Sequence, residues 1–281
     1  GKLGAVDWCY VELVRRLTAV EPVAIVFGTA TEERRALGRL SRAGIDLGRV
    51  EPYRFPTNRS WIRDTGPTFV TRLSDQGVER EVALVDWRFN AWAKYDDWSH
   101  DNRLPARIAG ILRLRRFTAR TRGGRRIVLE GGCIDVNGQG AALTTEECLL
   151  DPVVQARNPG LGRDAMERAL RDHLGVETVI WLGRGIAGDD THGHVDDIAR
   201  FVAPRTVVAA TESDPDDVNH IPLVENLARL RHARVRGGRL TVVPIPMPRP
   251  LWFGMQRLPA SYLNFYVANG LVLVPTFNDP A

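Results

Sequence analysis

Short apolar runs closed by Gly or Pro, alternating with stretches of helical period, most constrain how this 281-residue chain can fold. Val23–Phe27, Val50–Phe55, Thr68–Thr71, Val82–Trp87, Ile127–Glu130, Cys133–Val136, Val176–Trp181, Ile198–Val202, Thr206–Ala210 and Thr241–Ile245 read as strands. Val6, Cys9, Tyr10, Leu13, Val14 and Leu17 recur at helical spacing, so the first element is an amphipathic helix with Cys9 in its buried stripe. Thr29 and Glu32 have capping-box spacing for a helix that runs to about Arg42 and stops at Gly44. Asp164–Leu174 is another helix, with Gly175 as its C-cap. Pro222 to about Arg231 reads as a helix with Pro in its first turn. Ser74–Gly77 reads as a turn, Pro244–Pro250 as irregular, and Tyr262–Ala268 with Leu271–Val274 as a hairpin about Asn269-Gly270. The rhythm resembles one supersecondary module used several times. No low-complexity linker divides residues 1–281, so a single α/β domain is expected.

Composition narrows the function classes. Hydrophobic residues are 44% and charged residues 26%, ordinary for a globular protein. No apolar run approaches the ~18 residues a membrane helix needs. No leader is visible at the start, so a cytoplasmic protein is expected. The chain opens at Gly1 without Met, so an upstream segment is expected too. Net charge is +4, but only Lys2 and Lys94 are lysines. The arginines are spread, and the clusters Arg113–Arg116 and Arg120–Arg126 lack interleaved aromatics. They read as solvated surface and argue against a nucleic-acid partner. Three cysteines, Cys9, Cys133 and Cys148, form no zinc spacing and fit a reducing compartment.

Chemistry concentrates in Gly188-Asp189-Asp190-Thr191-His192-Gly193-His194-Val195-Asp196-Asp197. Burying that many ionisable groups is costly, and such groups gather at functional sites. If this stretch is extended, His192, His194 and Asp196 share one face. A metal reading takes those three as ligands, but only His220 and His232 follow downstream, and no metal is expected. Carboxylates suit a planar cation better, because a guanidinium offers five donors in a fixed fork. Asp64 and Asp196 could grip its two sides, with Trp61 against its stem or face. A guanidinium carbon is a poor electrophile, so a thiolate with a His acid/base is the economical chemistry. Leu129-Glu130-Gly131-Gly132 is weak alone; its glycines permit close backbone approach. The aromatics Trp87, Phe89, Trp92, Tyr95 and Trp98 read equally as a packed loop or a substrate rim.

Six blocks in order resemble the agmatine deiminase family, which includes the bacterial type of peptidylarginine deiminase. They are Trp61-Ile62-Arg63-Asp64-Thr65-Gly66-Pro67; Trp87-Arg88-Phe89-Asn90-Ala91-Trp92 with Lys94-Tyr95-Asp96-Asp97-Trp98; Leu129-Glu130-Gly131-Gly132; Thr144-Thr145-Glu146-Glu147-Cys148-Leu149-Leu150; Gly193-His194-Val195-Asp196; and Leu258-Pro259-Ala260-Ser261-Tyr262-Leu263-Asn264-Phe265-Tyr266. The resemblance implies a five-module α/β propeller, the pentein fold of the guanidine-modifying superfamily, with its last module incomplete here. It implies that Asp64 and Asp196 bind the guanidinium, that His194 is the general acid/base, that Glu130 supports it and that Trp61 packs on the substrate. It implies conversion of agmatine to N-carbamoylputrescine and ammonia through a Cys-linked thiouronium, as in polyamine (putrescine) biosynthesis, without cofactor or metal. A homo-oligomer is left open.

One departure stands out. The family's nucleophile is a Cys in a Gly-rich segment near the C-terminus, and this sequence ends at Asn278-Asp279-Pro280-Ala281 before such a segment. Cys9 reads as core and Cys148 as part of a strand-like run; Cys133, beside Glu130, is the only candidate substitute among the three and reads as structural. The expectation is therefore a catalytic domain that lacks its nucleophile. Peptidylarginine deimination, a non-catalytic guanidinium binder and a metal-dependent amidohydrolase are the rival readings.

Overall fold

A computed structural model describes residues 2–73 and 80–279; the turn expected at Ser74–Gly77 lies outside them. The chain forms two compact units, Gly1–Asn58 with Phe265–Pro275, and Arg59–Asn264 with Thr276–Ala281.

The smaller unit holds α1 (Lys2–Thr18), β1 (Val23–Phe27), α2 (Ala30–Arg42) and β2 (Val50–Arg54), with β1 and β2 paired in parallel. The capping box forms: Thr29 Oγ1 accepts from the Glu32 amide, and Glu32 Oε2 accepts from the Thr29 amide, each at 3.2 Å. The core of this unit is Val14, Leu40, Ile45 and Val50. The buried face of α1 therefore runs through Val11, Val14 and Thr18, while Val6, Cys9 and Tyr10 are exposed. This corrects the placement of Cys9 in the core. A hairpin of Tyr266–Ala268 and Leu271–Leu273 turns at Gly270, whose φ of 75° suits glycine.

The larger unit repeats one module three times. In the first, a helical turn α3 (Ile62–Thr65) leads into β3 (Thr68–Leu73), antiparallel to β4 (Arg80–Asp86). Helix α4 (Leu104–Leu112) then crosses to β5 (Arg115–Thr118), parallel to β4. The second uses β6 (Asp135–Val136), β7 (Ala141–Thr145), helices α5 (Glu146–Leu150) and α6 (Arg163–Leu174), and β8 (Thr178–Leu182). The third uses β9 (Ala199–Ala203), β10 (Thr206–Thr211), α7 (His220–His232), the short ribbon β11 (Arg234–Val235) with β12 (Gly238–Arg239), and β13 (Thr241–Pro246). Each three-stranded sheet has its second strand in the middle, antiparallel to the first and parallel to the last. The α/β class and the repeated module are present; the sheets among the described residues do not themselves display five modules. A large core gathers Trp87, Ile127, Leu129, Met166, Leu170 and Trp181.

Several local expectations change. Ile127–Glu130 is not a strand: Val128 makes only an isolated bridge to Arg88. The Asn158 side chain takes the place of a second partner, accepting from the Val128 amide at 3.0 Å and donating to its carbonyl at 2.8 Å. Cys148 lies in α5, not in a strand, because Thr145 Oγ1 caps that helix by accepting from the Cys148 amide. Pro244 and Pro246 belong to β13, an edge strand where a missing N–H is tolerated. The arginine clusters are not all solvated surface, since Arg116 and Arg126 both pair with the buried Asp86. Among the described residues no helix is long and apolar enough to cross a membrane.

Candidate active site

Each repeat places one helical turn just ahead of its first strand: Ile62–Thr65 before β3, Gly131–Cys133 before β6 and Val195–Asp197 before β9. The middle turn touches the other two. Asp64, Glu130, His194 and Asp196 ride on or beside these turns and are brought together in a buried cluster.

His194 is its centre. Nδ1 lies 3.8 Å from Asp64 Oδ1, and Nε2 lies 3.5 Å from Glu130 Oε2. The ring is only 4% exposed. Gly132 makes the approach feasible: a Cβ there would run into Nδ1 and come within 3.0 Å of Asp64 Oδ1. Asp64 is held from two sides, by the Gly132 amide and by Trp92 Nε1, both donating at 3.2 Å. Glu130 is wholly buried against an equally buried Arg157, whose Nε stands 3.3 Å from Oε2. Asp189 shapes the loop, Oδ2 accepting from the Gly193 and His194 amides at 2.8 and 3.0 Å.

Burial works against charge on every one of these groups, and their mutual fields decide the outcome. For Glu130, desolvation is overcome by Arg157 and His194, and the carboxyl is held down at about 2. For His194, burial is likewise overcome, by Asp64 and by Glu130, and the ring pKa stands well above its ordinary value. For Asp64, burial dominates, and the negative fields of Glu130 and Asp196 add to it, so its pKa is raised although His194 opposes. The half-buried Asp197 is pushed up to about 8 by desolvation and by Asp196 and Asp189. The cluster thus holds an imidazolium amid carboxylates.

Among the described residues, Glu130 Oε1, His194 Nε2 and Asp196 Oδ1 are buried without a hydrogen-bond partner. Each such atom costs about 1–3 kcal/mol, and three in one cluster mark a place prepared for a ligand. Asp196 already faces one guanidinium. Arg63 Nε lies 3.4 Å from Asp196 Oδ2, and Arg63 Nη2 donates to the Ile134 carbonyl at 3.3 Å. The arrangement can therefore hold a flat cation against acidic oxygens next to a proton-carrying ring.

Trp61 is 59% exposed at the start of its turn. His192 leaves the face of His194, because φ is 64° at His192 and 84° at Gly193 and the alternation of an extended strand is lost. Its Nε2 pairs instead with Asp151 Oδ2 at 3.0 Å, so the His192–His194–Asp196 metal set is not assembled. The expectation of a site without a thiol is also corrected. Cys133 Sγ donates to Glu130 Oε2 at 2.6 Å and lies 3.0 Å from Cys148 Sγ. Arg157 and Trp92 carry no local signal of their roles; in the sequence Trp92 is one of five aromatics that fit a packed loop or a substrate rim equally. That loop is packed, with Phe89, Ala91 and Trp92 buried together.

The sequence profile of the Porphyromonas-type peptidyl-arginine deiminases matches residues 1–281. The agmatine deiminase of Pseudomonas putida is 36% identical over 296 residues, covering 97% of this chain and 75% of its own. A structure of agmatine deiminase from Enterococcus faecalis is 31% identical with a TM-score of 0.83, covering 98% of this chain and 76% of the other. A structure of C. jejuni agmatine deiminase with substrate bound is 27% identical with a TM-score of 0.81, covering 99% and 76%. The match over the whole sequence, together with these relatives, shows that the chain belongs to the Porphyromonas-type peptidyl-arginine deiminase family.

Proposed function

We propose that this protein hydrolytically deiminates a small guanidine, agmatine first, giving N-carbamoylputrescine and ammonia. The observation that carries the reading is the buried Asp196 Oδ1, without a hydrogen-bond partner among the described residues, in one cluster with Asp64 and His194. A guanidinium laid between the two aspartates gives Asp196 Oδ1 a donor, while Arg63 Nε already faces Oδ2 of the same carboxylate at 3.4 Å. Trp61 would cover the substrate's outer side. The names of the relatives support the substrate class.

In this reading a cysteine thiolate forms a bond to the guanidinium carbon. The C–N bond breaks, and the departing nitrogen takes the His194 proton and leaves as ammonia. His194, aligned by Glu130, then takes a proton from water. The hydroxide attacks the thiouronium carbon, the C–S bond breaks, the thiolate returns, and the O-protonated urea gives its proton to ammonia or solvent. Cys133 and Cys148 are the thiols beside His194 among the described residues. No cofactor takes part. The free thiols fit a cytoplasmic enzyme. The reading carries with it a single catalytic domain over residues 1–281 and the five-module propeller. Three modules are the repeats of the larger unit; β1–α2–β2 and the Tyr266–Leu273 hairpin supply pieces of the others.

The family description favours peptidylarginine as the second substrate. The test is ammonia release from agmatine, arginine and a peptidylarginine, for the wild type and His194→Ala. Agmatine turnover abolished by the substitution is expected. Retained turnover removes His194 as acid/base, and a thermal shift by agmatine without ammonia identifies a binder. Acid quench and peptide mapping of the adduct identify the attacking sulfur.

A further inference from the structure

The two thiols raise a question apart from deimination. Cys133, Cys148, Glu130 and His194 each present one donor atom, and these four atoms lie within 4.8 Å of one another. All four residues are buried. Two of them hold buried atoms without a hydrogen-bond partner among the described residues, Glu130 Oε1 and His194 Nε2. Two sulfurs, one imidazole nitrogen and one carboxylate oxygen are the donor set of a tetrahedral site for a thiophilic divalent cation. We propose that this cluster is a binding site for Zn2+ and chemically similar ions such as Co2+.

The chemistry balances without an oxidant or reductant. Two thiols and the His194 imidazolium each give up a proton to solvent, two metal–sulfur bonds form, and His194 binds through Nε2 as the neutral ring. Two thiolates and Glu130 against a dication leave one negative charge, which the buried Arg157 offsets at 3.3 Å from Glu130 Oε2. Tetrahedral Zn–S bonds of ~2.3 Å separate two sulfurs by about 3.7 Å. The sulfurs stand 3.0 Å apart, so they part modestly on binding. Hard cations such as Mg2+ gain little from the sulfurs and are not accommodated. The local fold supports the set from behind: Thr144 Oγ1 donates to the Cys133 carbonyl at 2.8 Å, and the Cys148 amide is capped by Thr145. A metal here occupies the lone pair of His194 Nε2, so on the reaction proposed above it acts as an inhibitor. The binding itself stands whether or not that reaction is right.

The test loads the full chain, kept reduced, with one equivalent of Co2+ and reads its absorption. Intense visible d–d bands of tetrahedral Co2+ with a sulfur-to-cobalt charge-transfer band are expected, unchanged by excess Mg2+ and abolished by one equivalent of Zn2+. Cys148→Ser, checked for a native melting curve, loses the charge-transfer intensity in part, and Cys133→Ser with Cys148→Ser loses it entirely. X-ray absorption of the Zn2+-loaded wild type needs no variant, and a shell of two sulfurs and two lighter atoms is expected. A shell of nitrogen and oxygen only, or a wild type without charge-transfer absorption, overturns the proposal.

Discussion

Gly132 and His194 approach so closely that the absence of a side chain at 132 is part of the site. An added Cβ would run into His194 Nδ1 and come within 3.0 Å of Asp64 Oδ1. Gly132 does not have a positive φ, so alanine meets no backbone strain there. Gly132→Ala is expected to push the ring off its position. A displacement on the order of 1 Å can cost about 100-fold in rate. The kcat for agmatine should fall by about that much while the far-UV spectrum stays native. An unchanged kcat would show that ring position is not critical.

Asp196 offers a sharper test of cation binding. Its Oδ1 has no partner among the described residues, and its Oδ2 faces the exposed Arg63 at 3.4 Å, a pair of a kind that contributes little, so replacing Asp196 removes little that holds the fold. A charge-assisted hydrogen bond contributes about 1.5–3 kcal/mol, or roughly 10- to 100-fold in binding. Asp196→Asn should raise KM for agmatine by that factor, with little change in melting temperature. Steady-state kinetics beside a thermal melt separate the two effects.

The Glu130–Arg157 pair predicts behaviour in acid. Glu130 is held at about 2, below its ordinary 4.5, with Arg157 the largest stabilising partner of its charge. A depressed carboxylate contributes stability that is full above the unfolded value and is lost as pH falls toward the folded one. That contribution should disappear between about pH 4.5 and 2 in the wild type. Arg157→Met leaves a buried carboxylate without its cation, which costs about 3–5 kcal/mol. Urea midpoints across this range should show a large loss in the variant at pH 6 and a smaller difference at the acid end.

Asp197 predicts the opposite slope at higher pH. Its carboxyl is raised from 3.8 to about 8, chiefly by burial and then by Asp196 and Asp189. A raised acid binds its proton more tightly in the folded state, so stability falls as pH rises from about 4 to about 8 and then levels. Asp197→Asn keeps an acceptor for Asn264 Nδ2, which donates to Oδ1 at 2.8 Å. The variant should lose less stability than the wild type across pH 5–8, measured by the same midpoints. Parallel curves would remove Asp197 as the source.

Much of the fold is legible in the sequence because its signals are local. The capping box at Thr29 and Glu32, the helix ended by Gly175 and the turn at Asn269-Gly270 each depend on residues within one turn of one another. His194 and Asp196 stand out because two histidines and four aspartates crowd one stretch, whereas Asp64 and Glu130 are weak signals alone and take their roles from the family resemblance. Periodicity alone is a weaker guide. Cys9 sits on the stripe by spacing yet outside the core, and His192 shares a parity with His194 yet turns away.

The tertiary structure decided the rest. Arg157 becomes the counter-ion of Glu130, Trp92 a donor to Asp64, and Cys148 a neighbour of Cys133, across separations that leave no periodic trace. Sequence determined which turns carry the ionisable groups. Only the packing of three repeats, each delivering the turn ahead of its first strand, determined that those groups meet. The physical reason is one of range. Hydrogen bonds and backbone preference act between chain neighbours, whereas the fields that set these protonation states act through space, and space is fixed only once the modules have packed.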